Sequence, residues 1–236
     1  TIRDLSIAGD NGYGGTRRSH RGDCQHQHGI ALYGASDITI RNVRMRNLWG
    51  DCLYVGADRG RWTKDVLFAD STCRRNGRQG VAIVAGADVR IRGVTFDKIA
   101  MNVLDIEPND RNGGATDIVF ADNRVTSFSH SNQYQSFLFG ANGSMDAMVD
   151  RVTVRDNTVT KGTLLSLVGD EYFGYSGQRT RRNIRFIGNR SKVVANRAVL
   201  NFKHVDGLVI SGNVQRRAKG VSLTRIVDST RITNRQ

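Results

Sequence analysis

Two carboxylic acids, Asp105 and Glu107, stand two residues apart in the segment Leu104-Asp105-Ile106-Glu107-Pro108. On a β-strand that spacing puts both on one face, about 6.6 Å apart. Like charges that close repel, so one of the pair is expected to hold a proton to unusually high pH, as a general acid must. A third acid, Asp51, and an imidazole, His28, stand upstream among Arg75, Arg78 and Gln79, with Tyr33 and Tyr54 between. Acids protonate a leaving oxygen or activate water; arginine and tyrosine hold a sugar by hydrogen bonds and by stacking on its apolar face. The chemistry expected is cleavage of a glycosidic bond. Asp105 or Glu107 is the acid, Asp51 activates water, His28 and Arg78 orient the substrate, and Arg75, Gln79, Tyr33 and Tyr54 line it. Each also has a structural reading. Asp51 precedes a strand as turn residues do, and Arg78 can serve simply as the ion-pair partner of Asp105 or Glu107.

These residues are useful together only if the chain stacks them, and a repeat does so. The triplets Ile38-Thr39-Ile40, Val66-Leu67-Phe68, Val89-Arg90-Ile91, Ile118-Val119-Phe120, Val152-Thr153-Val154, Ile184-Arg185-Phe186 and Leu208-Val209-Ile210 each place apolar residues two apart, with Ile232 in a further copy. That is the period of a strand. Three residues beyond the last apolar position stand Ser71, Asn123, Asn157, Asn189 and Asn213, suited to a hydrogen-bonded ladder at a turn. A first strand precedes each triplet: Ile30-Ala31-Leu32, Leu53-Tyr54-Val55, Val81-Ala82-Ile83 and Leu104-Asp105-Ile106, then Phe137-Leu138-Phe139, Leu165-Ser166-Leu167, a strand within 198–202, and Val221-Ser222-Leu223. Loops are expected at 107–117, 140–150 and 170–183.

Units of roughly 20–35 residues, with two or three short strands and no helical pattern, argue for a β-solenoid. The leucine-rich consensus is absent, and an antiparallel sandwich does not account for strands of one kind recurring in register. The fold class expected is all-β, a right-handed parallel β-helix over 1–236. Because Thr1–Ile7 already alternates like a strand in mid-repeat, the natural chain is expected to extend upstream. Stacking converts the alignment into geometry. His28, Asp51, Gln79 and Asn102 form one column; Ala31, Tyr54, Ala82 and Asp105 the next; Tyr33, Gly56, Val84 and Glu107 the one after. Asp51 and Asp105 then lie two coils apart, about 10 Å, loosely compatible with the separation of about 6.5–9.5 Å in inverting glycosidases.

The formal net charge is +13. Paired arginines such as Arg17-Arg18, Arg74-Arg75, Arg181-Arg182 and Arg216-Arg217 are scattered rather than massed. The charge therefore reads either as solvated turns or as attraction for an anionic partner. No zinc-finger spacing, RNP-like aromatic motif or basic heptad region is present, so nucleic acid is not expected as a partner. No apolar run approaches the roughly 18 residues that span a bilayer, so a membrane is not expected either. Three cysteines without CxxC spacing predict neither a disulfide scaffold nor a metal site, and no dense aspartate cluster suggests calcium. No cofactor is expected.

The order Gly50-Asp51-Cys52, Cys73, Arg78-Gln79-Gly80-Val81 resembles the polygalacturonase-type glycoside hydrolases of the right-handed β-helix, pectin-lyase-like superfamily. Their pattern runs Asn-Thr-Asp-Gly, Asp-Asp-Cys, Cys with Gly-His-Gly, then Arg-Ile-Lys. Here the slots read His26-Gln27-His28-Gly29, Gly50-Asp51-Cys52, Cys73 with Arg78-Gln79-Gly80, and Asp105-Ile106-Glu107. The resemblance covers residues 26–108. Of that family's three catalytic aspartates only the one at Asp51 is present; His28 and Gly50 occupy the other slots, and Gln79 replaces the active-site histidine. The Arg-x-Lys that grips a substrate carboxylate becomes acidic, which argues against polygalacturonic acid and for a transfer of the acid role to Asp105 and Glu107. The resemblance also implies a Cys52–Cys73 disulfide, hence an oxidising compartment. The sequence is similar as well to secreted β-helix proteins carrying an Arg-Gln-Gly and an Asp-Ile-Glu-Pro element.

The expectation is a secreted or extracellular carbohydrate-active enzyme whose partner is a polysaccharide, neutral or acidic, and most simply a hydrolase. Two alternatives stay open. One is a lyase or uronate epimerase using His28 as base with Arg75 or Arg78 against the carboxylate. The other is a non-catalytic glycan-binding β-helix of the tail-fibre or adhesin kind. Sugar, linkage and oligomeric state are not specified by the sequence.

Overall fold

The alternation of apolar residues closes into a parallel stack. In the computed structural model, which describes residues 1–129, 136–169 and 177–236, the second-strand columns run unbroken. Ile38 pairs with Val66, Val66 with Val89, Val89 with Ile118, Ile118 with Val152, Val152 with Ile184, Ile184 with Leu208 and Leu208 with Ile232. Every one of these pairings is parallel. Only a local hairpin, Ala57 with Trp62, runs antiparallel among the described residues. The chain is a right-handed parallel β-helix.

The first strands form a second column set. Ile30, Leu53, Val81 and Leu104 stack inward in one line, as expected. Beyond Leu104 the line passes to Phe139, Ser166, Leu200 and Thr224, not to Phe137, Leu165 and Val221. The observed strands are Phe139–Ala141, Ser166–Val168 and Thr224–Val227, offset by two, one and three residues from the triplets that the sequence suggests. The one-residue offset reverses faces. Ser166 is fully buried, its hydroxyl bonded to the Leu164 carbonyl at 3.0 Å, while Leu165 and Leu167 stay half-buried outside.

In the first full coil the second strand, Ser36–Arg46, runs on through a third position, and in later coils a separate short strand takes that place: Thr72–Arg74, Thr95–Ile99, Arg124–Phe128, Thr158–Val159, Arg190–Ala195 and Val214–Arg217. The corner before it is made by left-handed residues, Asn42, Asp70, Asp122 and Asp156, with Gly93 in the same column. Short Asx side chains tolerate that conformation. The next residues form the asparagine ladder. Asn157 donates from Nδ2 to Asn189 Oδ1 at 2.9 Å and to the Phe120 carbonyl at 3.0 Å, and its Oδ1 accepts from Asn123 Nδ2 at 2.9 Å. Inside the coil, Phe68, Phe96, Phe120, Phe139, Phe186 and Phe202 are fully buried.

The expected loops are shorter than drawn. Strand Gly114–Ala121 begins within 107–117, and strands Phe139–Ala141 and Met148–Arg155 occupy both ends of 140–150. Of 170–183, residues 170–176 lie outside the described residues, and strand Arg181–Ile187 takes its end. Arg181 is fully buried, and its guanidinium donates to the carbonyls of Ala141 at 3.1 Å, Ala147 at 2.7 Å, Ser144 at 3.1 Å and Asn142. One buried cation thereby holds the whole 141–147 segment. Burial lowers its pKa to about 10.

Candidate functional site

The column His28, Asp51, Gln79, Asn102 exists, and its chemistry is a ladder. Each side chain accepts the backbone N–H one coil on. His28 Nδ1 takes Asp51 N–H at 3.1 Å, Asp51 Oδ1 takes Gln79 N–H at 2.8 Å, Gln79 Oε1 takes Asn102 N–H at 2.7 Å, and Asn102 Oδ1 takes Phe137 N–H at 2.6 Å. These backbone donors sit where the chain enters the first strand, so the side chains satisfy groups that burial would otherwise orphan. Asp51 has no exposed surface. Its second oxygen receives Arg78 Nη1 at 3.1 Å and lies 3.2 Å from His28 Nδ1, the nitrogen that accepts the Asp51 N–H. His28 Nε2 is buried and has no hydrogen-bond partner among the described residues.

Arg78 bridges to the acid pair: its Nη2 donates to Glu107 Oε1 at 2.8 Å. Gln79 Nε2 donates to Asp105 Oδ2 at 2.7 Å. Asp105 points to the outer side of its strand but is only 5% exposed, flanked in its column by Ala82 and Gly140. A side chain at 140 would collide with Asp105 Oδ1, its first atom falling 2.9 Å away. The Glu107 side chain keeps 26% of its surface. Burial raises Asp105 to about 6, against hydrogen bonds from Asn102 and Gln79 and the charge of Arg78. Burial, then the charge of Asp105, raises Glu107 to about 8, against Arg78. Two carboxyls on one face titrate as a pair, so these values belong to both.

Tyr54 stacks on His28, ring centroids 4.8 Å apart at 19°, and Tyr33 leans on Tyr54 at 5.4 Å. Tyr33 is 54% exposed and forms the outer end of this aromatic run. Burial, followed by Tyr33 and Glu107, raises the Tyr54 phenol above its ordinary value. Thus His28, Asp51, Arg78, Gln79, Tyr54, Asp105 and Glu107 come together, with Tyr33 at the rim. Arg75 does not join them; its Nε donates to the carbonyl of Gly14 at 3.0 Å.

Sequence reasoning missed the backing of this site. Gly140 was hidden by the two-residue offset of its strand. The turn after Glu107 is seated by the 141–147 segment: Asn142 N–H donates to Ile106 O at 3.1 Å and Ser144 N–H to Pro108 O at 2.7 Å. Arg181, which holds that segment, carries no sequence signal, because an arginine beside another arginine reads as surface. Cys52 and Cys73 are joined by a disulfide across adjacent coils, with Cα atoms 6.0 Å apart. Among the described residues no group of three or more His, Cys, Asp or Glu side chains is disposed to hold a metal ion.

Residues 25–225 match the family described as the right-handed β-helix region, and the chain belongs to that family. Its domain is shared by pectin-degrading enzymes and by non-catalytic proteins. A search of curated proteins found no match.

Proposed function

We propose that this chain is a polysaccharide-cleaving enzyme that works by glycoside hydrolysis on the outer face of the first sheet. The observation that carries the reading is the acid pair: Glu107, raised to about 8, is the more exposed, and Asp105, raised to about 6, lies beside it. Between those values the pair holds one proton. Glu107 then serves as general acid toward the leaving oxygen, and Arg78 fixes its carboxyl. Asp105 is the base. Gln79 occupies its Oδ2, and Oδ1 faces Gly140, whose missing side chain leaves that oxygen uncovered from the next coil. Asp51, with no exposed surface, acts as a positioning residue that anchors Arg78 and Gln79. Tyr54 and Tyr33 provide the stacking surface for a sugar ring.

Elimination is less well supported, because His28 Nδ1 is committed to Asp51 and its ring is covered by Tyr54. The near-complete burial of Asp105 favours the binding-only reading as the second choice. A polysaccharide screen scoring both new reducing ends and unsaturated ends tests the proposal. Hydrolysis predicts reducing ends alone, and Glu107→Gln should lower turnover by about 10²–10⁴ with glycan binding intact. Unsaturated products would overturn it in favour of elimination. Binding of a glycan without turnover by the unaltered protein would leave the non-catalytic reading.

A further inference from the structure

The column that holds Asp105 continues past the acid pair. Asp105 pairs with Gly140, Gly140 with Leu167, Leu167 with Asn201 and Asn201 with Arg225. Lys203 follows Leu200 by three residues, as Glu107 follows Leu104, and Leu200 stands three coils on in the same line. At about 4.8 Å per coil, Lys203 lies roughly 14 Å from Glu107 along the stack. Here the outer face opens into a cleft of about 350 Å³ lined by Leu165, Leu167, Arg197, Asn201, Lys203 and Arg225. The floor is apolar, since the two leucines face outward. The walls are cationic: Arg197 and Arg225 are exposed and Lys203 half-buried.

Several arginines on this chain are answered by acids close by, as Arg41 is by Asp70, Arg151 by Asp117 and Arg231 by Asp206. Arg197, Lys203 and Arg225 make no ion pair or side-chain hydrogen bond among the described residues. Three cations that converge over an apolar floor with no ion-pair partner among the described residues favour a ligand that is itself anionic and has an apolar face. An acidic sugar meets both demands, carrying a carboxylate or sulfate at its edge over a face of ring C–H groups.

We infer that this cleft is a binding subsite for an anionic sugar residue of the polysaccharide, two to four coils from the acid pair. This rests on the reading of the first-sheet face as a glycan-binding surface. It assigns a polarity along that face. The anionic group is gripped at Arg197, Lys203 and Arg225, and the ring at the acid pair is one that brings no negative charge toward Asp105 and Glu107.

The test measures binding of a polyuronate, a sulfated glycan and a neutral glycan by calorimetry. It compares the unaltered chain with Arg197→Gln/Lys203→Gln/Arg225→Gln, with Glu107→Gln, and with Arg90→Gln/Arg92→Gln/Arg185→Gln, which removes three cations from the outer face of the second sheet. Melting temperatures check folding. Three exposed ion pairs of ordinary strength correspond to a loss of roughly tenfold in affinity for the anionic glycans in the first variant. Neutral-glycan binding should be unchanged, and the other two variants should bind anionic glycans no more weakly than the parent. Whichever of the polyuronate and sulfated glycan binds more tightly identifies the anionic group. The proposal is overturned by undiminished anionic binding in the first variant, by an equal loss in the second-sheet variant, by equally tight binding of a DNA oligonucleotide of matched charge, or by no anionic binding at all. Turnover lost in Glu107→Gln with anionic binding retained would separate the two ideas. The cleft and the acid pair can each fail alone.

Discussion

The side-chain amide of Gln79 donates to Asp105 at 2.7 Å while its oxygen takes the backbone N–H of the next coil. One residue thus settles both a backbone donor and a buried carboxyl. Gln79→Leu leaves both unanswered, and chemical denaturation should show a loss of about 1–3 kcal/mol. Gln79→Glu keeps the shape but adds a negative charge beside Asp105. It should be destabilised at neutral pH and recover as the pH falls toward 5. Equal losses at both pH values would deny that Gln79 and Asp105 are coupled.

Both members of the acid pair have raised pKa values in the fold, to about 6 and about 8. For such groups the protonated form is favoured by folding, so the stabilisation is complete below the unfolded values near pH 4 and is lost as pH rises through the folded ones. Stability should therefore decline between about pH 4 and pH 8. Glu107→Gln should flatten the upper part of that slope. If Glu107 is the acid and Asp105 the base, turnover should follow a bell with limbs near 6 and 8. A stability profile that Glu107→Gln leaves unaltered would remove Glu107 as the source.

Asn157 sits inside the asparagine ladder, with neighbours above and below. Asn157→Ala removes its bonds to Asn189 and the Phe120 carbonyl and orphans the N–H of Asn123. The expected cost is about 1–3 kcal/mol, read as a lowered denaturation midpoint. An unchanged midpoint would mean that water replaces the ladder readily.

Cys24 is the free cysteine beside the Cys52–Cys73 pair. Thiol titration of the denatured, unreduced protein should count one thiol. The bridge closes a separation of 21 residues, so replacing both half-cystines with serine should cost about 3 kcal/mol. Three titrating thiols would refute the pairing.

The parts legible in the sequence are those where one physical demand acts alone. Ile38 through Ile232 align because each must be apolar and two residues from the next apolar position. The column from His28 to Asn102 was readable because its coils keep a near-constant length. Legibility failed where demands competed. Leu165 and Leu167 look like a core pair, yet they floor a cleft while Ser166 turns inward and satisfies its own hydroxyl. The third strand, only Thr158–Val159 at its shortest, is too brief to show a period. Arg181 is read as surface because propensity assigns arginine there, and only the carbonyls of a segment about 40 residues away explain its burial.

The pairing from Ile38 to Ile232 runs without a slip although coil lengths differ. Residues added between strands are therefore extruded sideways and never propagate down the stack. The floor of the outer face is inherited as a fixed lattice, its positions set by backbone pairing. Its rim, at a segment such as 109–113, is free to lengthen or change composition. Selection on such a molecule can rewrite what the face holds by editing borders alone, and groups planted on the lattice, such as Asp105 and Arg225, keep their separation through every such edit.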